Sequence, residues 1–157
     1  MRVIVASDHG GFALKGSLIQ ALEGKGVHAK DMGCFSEESV DYPKYAFAVA
    51  EAISKSEADR GVLVCTSGIG MSIAANKVAG ARAALCYFEM AAMMARSHNN
   101  ANILVIGARF VDTETAIRIM DVFLETEFDG GRHKRRMDMV DAYLETEEDP
   151  KENANDF

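Results

Sequence analysis

The chain has 157 residues, 24 acidic and 17 basic side chains, a formal charge of −7, and 48% hydrophobic against 26% charged residues. That balance belongs to a globular protein and excludes a disordered or collagen-like bulk. No apolar run reaches the roughly 20 residues of a membrane span, and the net charge excludes a protein that coats nucleic acid by charge alone.

In chain order, Val3-Ile4-Val5-Ala6 predicts a buried strand that ends at the turn Ser7-Asp8-His9-Gly10-Gly11. Phe12, Leu14, Leu18, Ile19 and Leu22 follow at helical spacing, stopped by Gly24 and Gly26. Val27–Lys30 reads as a weak second strand, 31–41 as a polar loop, and Tyr42, Tyr45, Ala46, Val49, Ala50 and Ile53 as one helix face. Gly61–Cys65 predicts a third strand, then a turn at 66–70 and an alanine-rich helix at 71–78. Arg82–Cys86 is a fourth strand, 88–97 a helix, Asn102–Ile106 a fifth strand, Thr113–Glu125 a helix and 134–145 the last helix. Strands apolar on both faces and alternating with helices imply a single α/β domain: a doubly wound αβα sandwich with a five-stranded parallel sheet over residues 1–144. Residues 145–157 hold six acids and one base and are expected to form a solvated, disordered acidic tail. Cys34, Cys65 and Cys86 are odd in number and far apart, with no CxxC pair, and the apolar run after Met1-Arg2 is too short for a signal peptide. Both features point to a reducing cytoplasm and away from a zinc site.

In such a fold, ligands sit beyond the carboxyl ends of the strands. That rule selects residues 7–11, 65–70 and 107–109. In Cys65-Thr66-Ser67-Gly68-Ile69-Gly70 a strand ends in a thiol and a helix opens across two glycines, a place where backbone N–H groups favour negative charge. Cys65 can equally be a packed thiol, and Asp8 a simple helix cap beside a surface His9. Ile73 stands where a dinucleotide fingerprint needs its third glycine. Arg96-Ser97-His98-Asn99-Asn100 lies at the opposite edge, where it either complements a helix dipole or serves a neighbouring subunit. Gly130-Gly131-Arg132-His133-Lys134-Arg135-Arg136 puts cations at a helix start, which is unfavourable unless an anion binds there. Arg132 and Arg136 face the same way, and with Arg109 they suit a phosphate. A solvated basic face or a nucleic-acid contact is the other reading. Together these groups imply a small phosphorylated ligand and proton abstraction beside a carbonyl.

The ordered set Ser7-Asp8-His9-Gly10-Gly11-Phe12, Asp41-Tyr42-Pro43, Cys65–Gly70 with Ala74-Ala75-Asn76-Lys77, Arg96–Asn100 and Gly130–His133 resembles the sugar-phosphate isomerase family of ribose-5-phosphate isomerase B and galactose-6-phosphate isomerase. The resemblance runs from residue 2 to about 144. It implies a cytoplasmic aldose–ketose isomerase acting on ribose 5-phosphate and ribulose 5-phosphate, a homodimer (or tetramer) with each site shared by two subunits, and no metal or organic cofactor. By position it makes Cys65 the base between C2 and C1. Ser67, often Thr in the family, would move the hydroxyl protons and hold the enediolate with the N–H groups of Gly68, Ile69 and Gly70. His98 of the other subunit would open the ring, with Asp8 and Asn99 near it, while His9, Arg109, Arg132 and Arg136 would hold the phosphate. Some relatives use a glutamate as base in a region that here contains Ala74 and Ala75, which leaves Cys65. The same chemistry on a hexose 6-phosphate or a tetrulose phosphate, a sugar-phosphate sensor and a cysteine hydrolase are the alternatives.

Overall fold

The computed structural model describes residues 1–145. The acidic tail expected from 145 onward therefore lies outside the described residues, apart from Glu145, which closes the last helix.

Five strands form one sheet: β1 (Val3–Ser7), β2 (Ala29–Asp31), β3 (Arg60–Cys65), β4 (Ala83–Leu85) and β5 (Ile103–Gly107). All pairs are parallel and the spatial order is β2-β1-β3-β5-β4. The helices are α1 (Phe12–Gly24), α2 (Tyr42–Ser54), α3 (Ile69–Ala75), α4 (Glu89–Ser97), α5 (Thr113–Glu125) and α6 (Gly131–Glu145).

Period-two side-chain alternation divides each central strand between two cores. Val3, Val5, Val62, Val64, Leu104 and Ile106 face a core completed by Leu18, Leu22, Ile119 and Phe123, from α1 and α5. Ile4, Ala6, Leu63, Ile103 and Val105 face the other, completed by Val49, Ile53 and Met71 from α2 and α3. The result is the expected doubly wound αβα sandwich. Its strand order reverses between β1 and β3, so the turns after these strands open a crevice at the carboxyl edge.

Several boundaries differ from expectation for local reasons. Val27 does not join β2, because its N–H donates to the Leu22 carbonyl at 3.0 Å and closes the end of α1. Helix α3 opens at Ile69 rather than 71, since Gly68 takes a left-handed conformation (φ 79°) and turns the chain directly into it. Helix α6 opens at Gly131 rather than 134, after Gly130 and Gly131 both adopt positive φ.

Candidate active site

At the carboxyl edge, the turns after β1 and β3 are locked together. The Asp8 N–H donates to the Val64 carbonyl at 3.1 Å, and the Asp8 carboxylate accepts the Gly11 N–H at 2.9 Å. A side chain at Gly11 would place its Cβ 2.4 Å from the Val64 oxygen, and one at Gly10 would strike Thr66. Cys65 closes β3 and is 5% exposed. Its sulfur accepts the Gly68 N–H at 3.0 Å, which aims Sγ into the turn. The Ser67 hydroxyl accepts the Ile69 N–H at 3.3 Å, and its carbonyl accepts the Tyr87 hydroxyl at 3.1 Å. Gly70 packs so closely under Tyr42 that an added Cβ would lie 2.6 Å from the ring.

The turn after β5 joins this group through its backbone. The N–H groups of Ala108 and Arg109 donate to the carbonyls of Cys65 and Thr66 at 2.8 and 3.0 Å. The exposed Arg109 guanidinium has no hydrogen-bond or ion-pair partner among the described residues. His9 is fixed from the other side: the Val40 N–H donates to its Nδ1 at 3.2 Å, so Nε2 carries the proton of the neutral ring. The loop that supplies Val40 is anchored by Lys15, 1% exposed, whose ammonium bonds both Asp31 carboxylate oxygens at 2.6 and 2.7 Å and also the Cys34 carbonyl. Asp8, His9, Cys65, Ser67, Gly68, Ile69, Gly70 and Arg109 thus share one edge.

The remaining candidates lie at the other edge. His98 caps the end of α4. Arg132 and Arg136 lie in the first turns of α6. The His98 ring stacks parallel on His133, with centroids 4.3 Å apart, and Asn99 donates to the Met137 sulfur at 3.8 Å. Arg132 Nε donates to His133 Nε2 at 3.4 Å. Partial burial holds the His133 imidazole below its usual pKa, and His98, Arg132 and Arg136 add to that effect. His98, Asp129 and His133 bring three potential metal-ligating atoms within 4.8 Å of one another. The parallel stack means that one ring must rotate before both could share an ion. Between the two edges runs the length of β3 and β5, about 13 Å for four residue steps. One subunit therefore does not bring His98, Asn99, Arg132 and Arg136 to Cys65.

The sequence reading missed several contributors. Tyr42, Thr66 and Tyr87 shape the thiol turn, and His133 is the ring against which His98 rests. Arg96, read as a possible dipole partner, is instead a fully buried side chain. Arginine and lysine are so seldom buried that the sequence carries no signal for Arg96 or Lys15.

A family model described as Ribose/Galactose Isomerase matches residues 3–140. Ribose-5-phosphate isomerase B of Escherichia coli (strain K12) is 42% identical over 141 residues, 90% of this chain and 95% of that protein. Among solved structures, ribose-5-phosphate isomerase B of Clostridium thermocellum superposes with a TM-score of 0.92 at 44% identity, covering 94% of this chain and 99% of that one. Ribose-5-phosphate isomerase B of Mycoplasma genitalium, solved with bound ribulose-5-phosphate, has a TM-score of 0.87 at 41% identity and covers 92% and 96%. With its two edges built as described and its whole domain matched, this chain belongs to the Ribose/Galactose Isomerase family.

Proposed function

We propose that this protein interconverts ribose 5-phosphate and ribulose 5-phosphate through an enediolate, with Cys65 as the base. The observation that carries the reading is the Cys65 sulfur held at 3.0 Å by the Gly68 N–H, at the mouth of a helix and at a topological switch point. The relative that binds ribulose-5-phosphate gives the substrate class.

In the aldose-to-ketose direction, His98 of a second subunit assists opening of the furanose ring. The Cys65 thiolate then removes the proton from C2, and the C1 carbonyl oxygen takes up negative charge. Backbone N–H groups of Gly68, Ile69 and Gly70 stabilise that charge, the first two turning to it from the Cys65 sulfur and the Ser67 hydroxyl. The Ser67 hydroxyl relays a proton from O2 to O1, and the thiol returns its proton to C1. Asp8 and Asn99 contact the sugar hydroxyls. His9, donating through Nε2, and Arg109, Arg132 and Arg136 hold the phosphate.

A homodimer related by a two-fold axis brings the amino edge of one copy to the carboxyl edge of the other, and the separation of the two edges within one copy supports this reading. Its interface lies on exposed apolar side chains that a monomer has no reason to keep in water: Phe88, Met90, Met93 and Met94 in and beside α4, and Met139 and Val140 on α6. The three thiols are unpaired, in keeping with a reducing cytoplasm. The direct test is Cys65→Ala, which should abolish turnover of both sugars while phosphate-dependent binding persists; full activity in that variant would overturn the role of Cys65. A panel of ribose 5-phosphate, a hexose 6-phosphate and a tetrulose phosphate, ranked by kcat/KM, tests the choice of sugar.

A further inference from the structure

Arg96 is 2% exposed, and no carboxylate pairs with it among the described residues. Its guanidinium instead spends its donors on three acceptors in two chain segments. Nη1 donates to the Ala101 carbonyl at 2.6 Å and to the Asn100 side-chain oxygen at 3.0 Å. Nε donates to the Thr126 carbonyl at 3.3 Å, and the Phe123 ring backs the group at 5.8 Å. Burial is the main cause that brings the group down to about 10, so it still carries its charge at neutral pH. A cation taken out of water costs stability unless its surroundings compensate, and here backbone and amide acceptors and the field of Glu127 do so in place of an ion pair. What the fork does is geometric. It ties the turn that carries His98 to the segment that leads into α6.

Two further contacts make that tie specific. Asn100 sits at φ 47°, a left-handed conformation that few residues with a Cβ adopt, and its N–H donates to the Arg96 carbonyl at 3.1 Å. Arg96 therefore grips Asn100 with both backbone and side chain, and the sharp turn leaves His98 and Asn99 projecting. The Asp129 N–H donates to the Ser97 carbonyl at 3.0 Å, so the strand of chain just before Arg132 and His133 is fixed to the residue just before His98. The stacked His98 and His133 rings lie across this seam.

We propose that Arg96 is a positioning residue that locks the His98 turn and the start of α6 into one preassembled half-site, setting the rate of ring opening. The inference rests on the isomerase reading above. It has a signature that a merely structural role lacks. Ribose 5-phosphate must be opened before it reacts. Ribulose 5-phosphate, whose O5 is esterified, cannot close a five-membered ring and needs no opening; the linear aldose it yields closes by itself in water. A fault confined to His98 placement leaves the two kcat/KM values tied by the equilibrium constant but makes the aldose wait for spontaneous ring opening. The ribose 5-phosphate rate then stops rising as enzyme is added, while the ribulose 5-phosphate rate still rises in proportion.

The experiment measures initial rates with ribose 5-phosphate and with ribulose 5-phosphate over a range of enzyme concentrations for the wild type, Arg96→Lys and Asn100→Gly, with thermal unfolding to establish folding. Lysine keeps the charge but not the fork. Arg96→Lys should give a ribose 5-phosphate rate that levels off with added enzyme about tenfold or more below the rate the wild type reaches at the same concentration, while its ribulose 5-phosphate rate stays proportional to enzyme, since misplacement of a reacting group by about 1 Å can cost on the order of 10²-fold. Asn100→Gly, which keeps the left-handed turn and removes one acceptor, should show the same asymmetry in smaller measure. A ribose 5-phosphate rate that stays proportional to enzyme throughout, as the ribulose 5-phosphate rate does, would overturn the assignment. Should Arg96→Lys not fold, Asn100→Gly decides alone by the same criterion. A wild type that converts neither sugar would instead refute the isomerase reading itself.

Discussion

The two edges of this sheet solve different problems with different materials. The carboxyl edge is made of backbone. Glycines at 10, 11, 68 and 70 let three turns touch, and N–H groups converge on Cys65 and Ser67. The amino edge is made of long side chains. Arg132 and Arg136 are exposed on α6, His98 rests on His133, and rigidity comes from one buried guanidinium. The first arrangement suits a small charge that appears on a substrate oxygen at a fixed point. The second suits a dianion that must be captured from solvent and a ring oxygen that must receive a proton. On the proposed reading the contrast makes each edge half of a site, and a single subunit carries both halves without joining them.

Removing each half in turn should break the molecule in different ways. Cys65→Ala deletes the base and should lower kcat in both directions by on the order of 10²–10⁴-fold, measured with either sugar. His98→Asn should make the ribose 5-phosphate rate level off with added enzyme at the pace of spontaneous ring opening, while the ribulose 5-phosphate rate stays proportional to enzyme. Arg132→Ala with Arg136→Ala removes charged hydrogen bonds worth about 1.5–3 kcal/mol each, so KM should rise about 10²-fold or more while kcat changes little. Lys15→Met takes the ammonium from the Asp31 carboxylate, which keeps the Gly33 N–H, and from the Cys34 carbonyl. Asp31 is partly open to water, so the cost should be about 2 kcal/mol, a fall in Tm of about 4–8 °C, with a raised KM through the loosened His9 loop.

The smallest effect concerns pH. The folded His133 resists protonation relative to the usual 6.5, so below that pH the unfolded chain binds the extra proton. Stability from this group is therefore complete above about 6.5 and declines as pH falls toward the folded value. His133→Gln should flatten that acid-side slope in thermal unfolding, and an unchanged slope would contradict the assignment.

Much of the carboxyl edge was legible in the sequence, because strand ends and glycines announce themselves. Val3–Ala6 and Gly61–Cys65 are apolar on both faces, and the turns that follow contain Asp8, His9 and Cys65 in plain view. The amino edge was legible only as a list of residues. That His98 and the Arg132 helix start share one cluster depends on how α6 returns across the sheet edge, which no local pattern encodes. Lys15 lies next to Leu14 on the inner face of α1, and its partner Asp31 lies 16 residues away in a stretch that reads as a polar loop. Arg96 is hidden for the same reason: its acceptors are backbone carbonyls and an amide, and such partners leave no compositional trace.

The shared site can be tested by mixing two damaged subunits. Cys65→Ala and His98→Asn homodimers each lack one half in every site and should be slow with ribose 5-phosphate. After unfolding together and refolding, about half of the dimers are mixed, and each of these holds one site with both defects and one with neither. Activity should then return to about a quarter of the wild-type rate. A mixture that stays as slow as its parents would contradict the two-subunit site and with it the division of labour between the two edges.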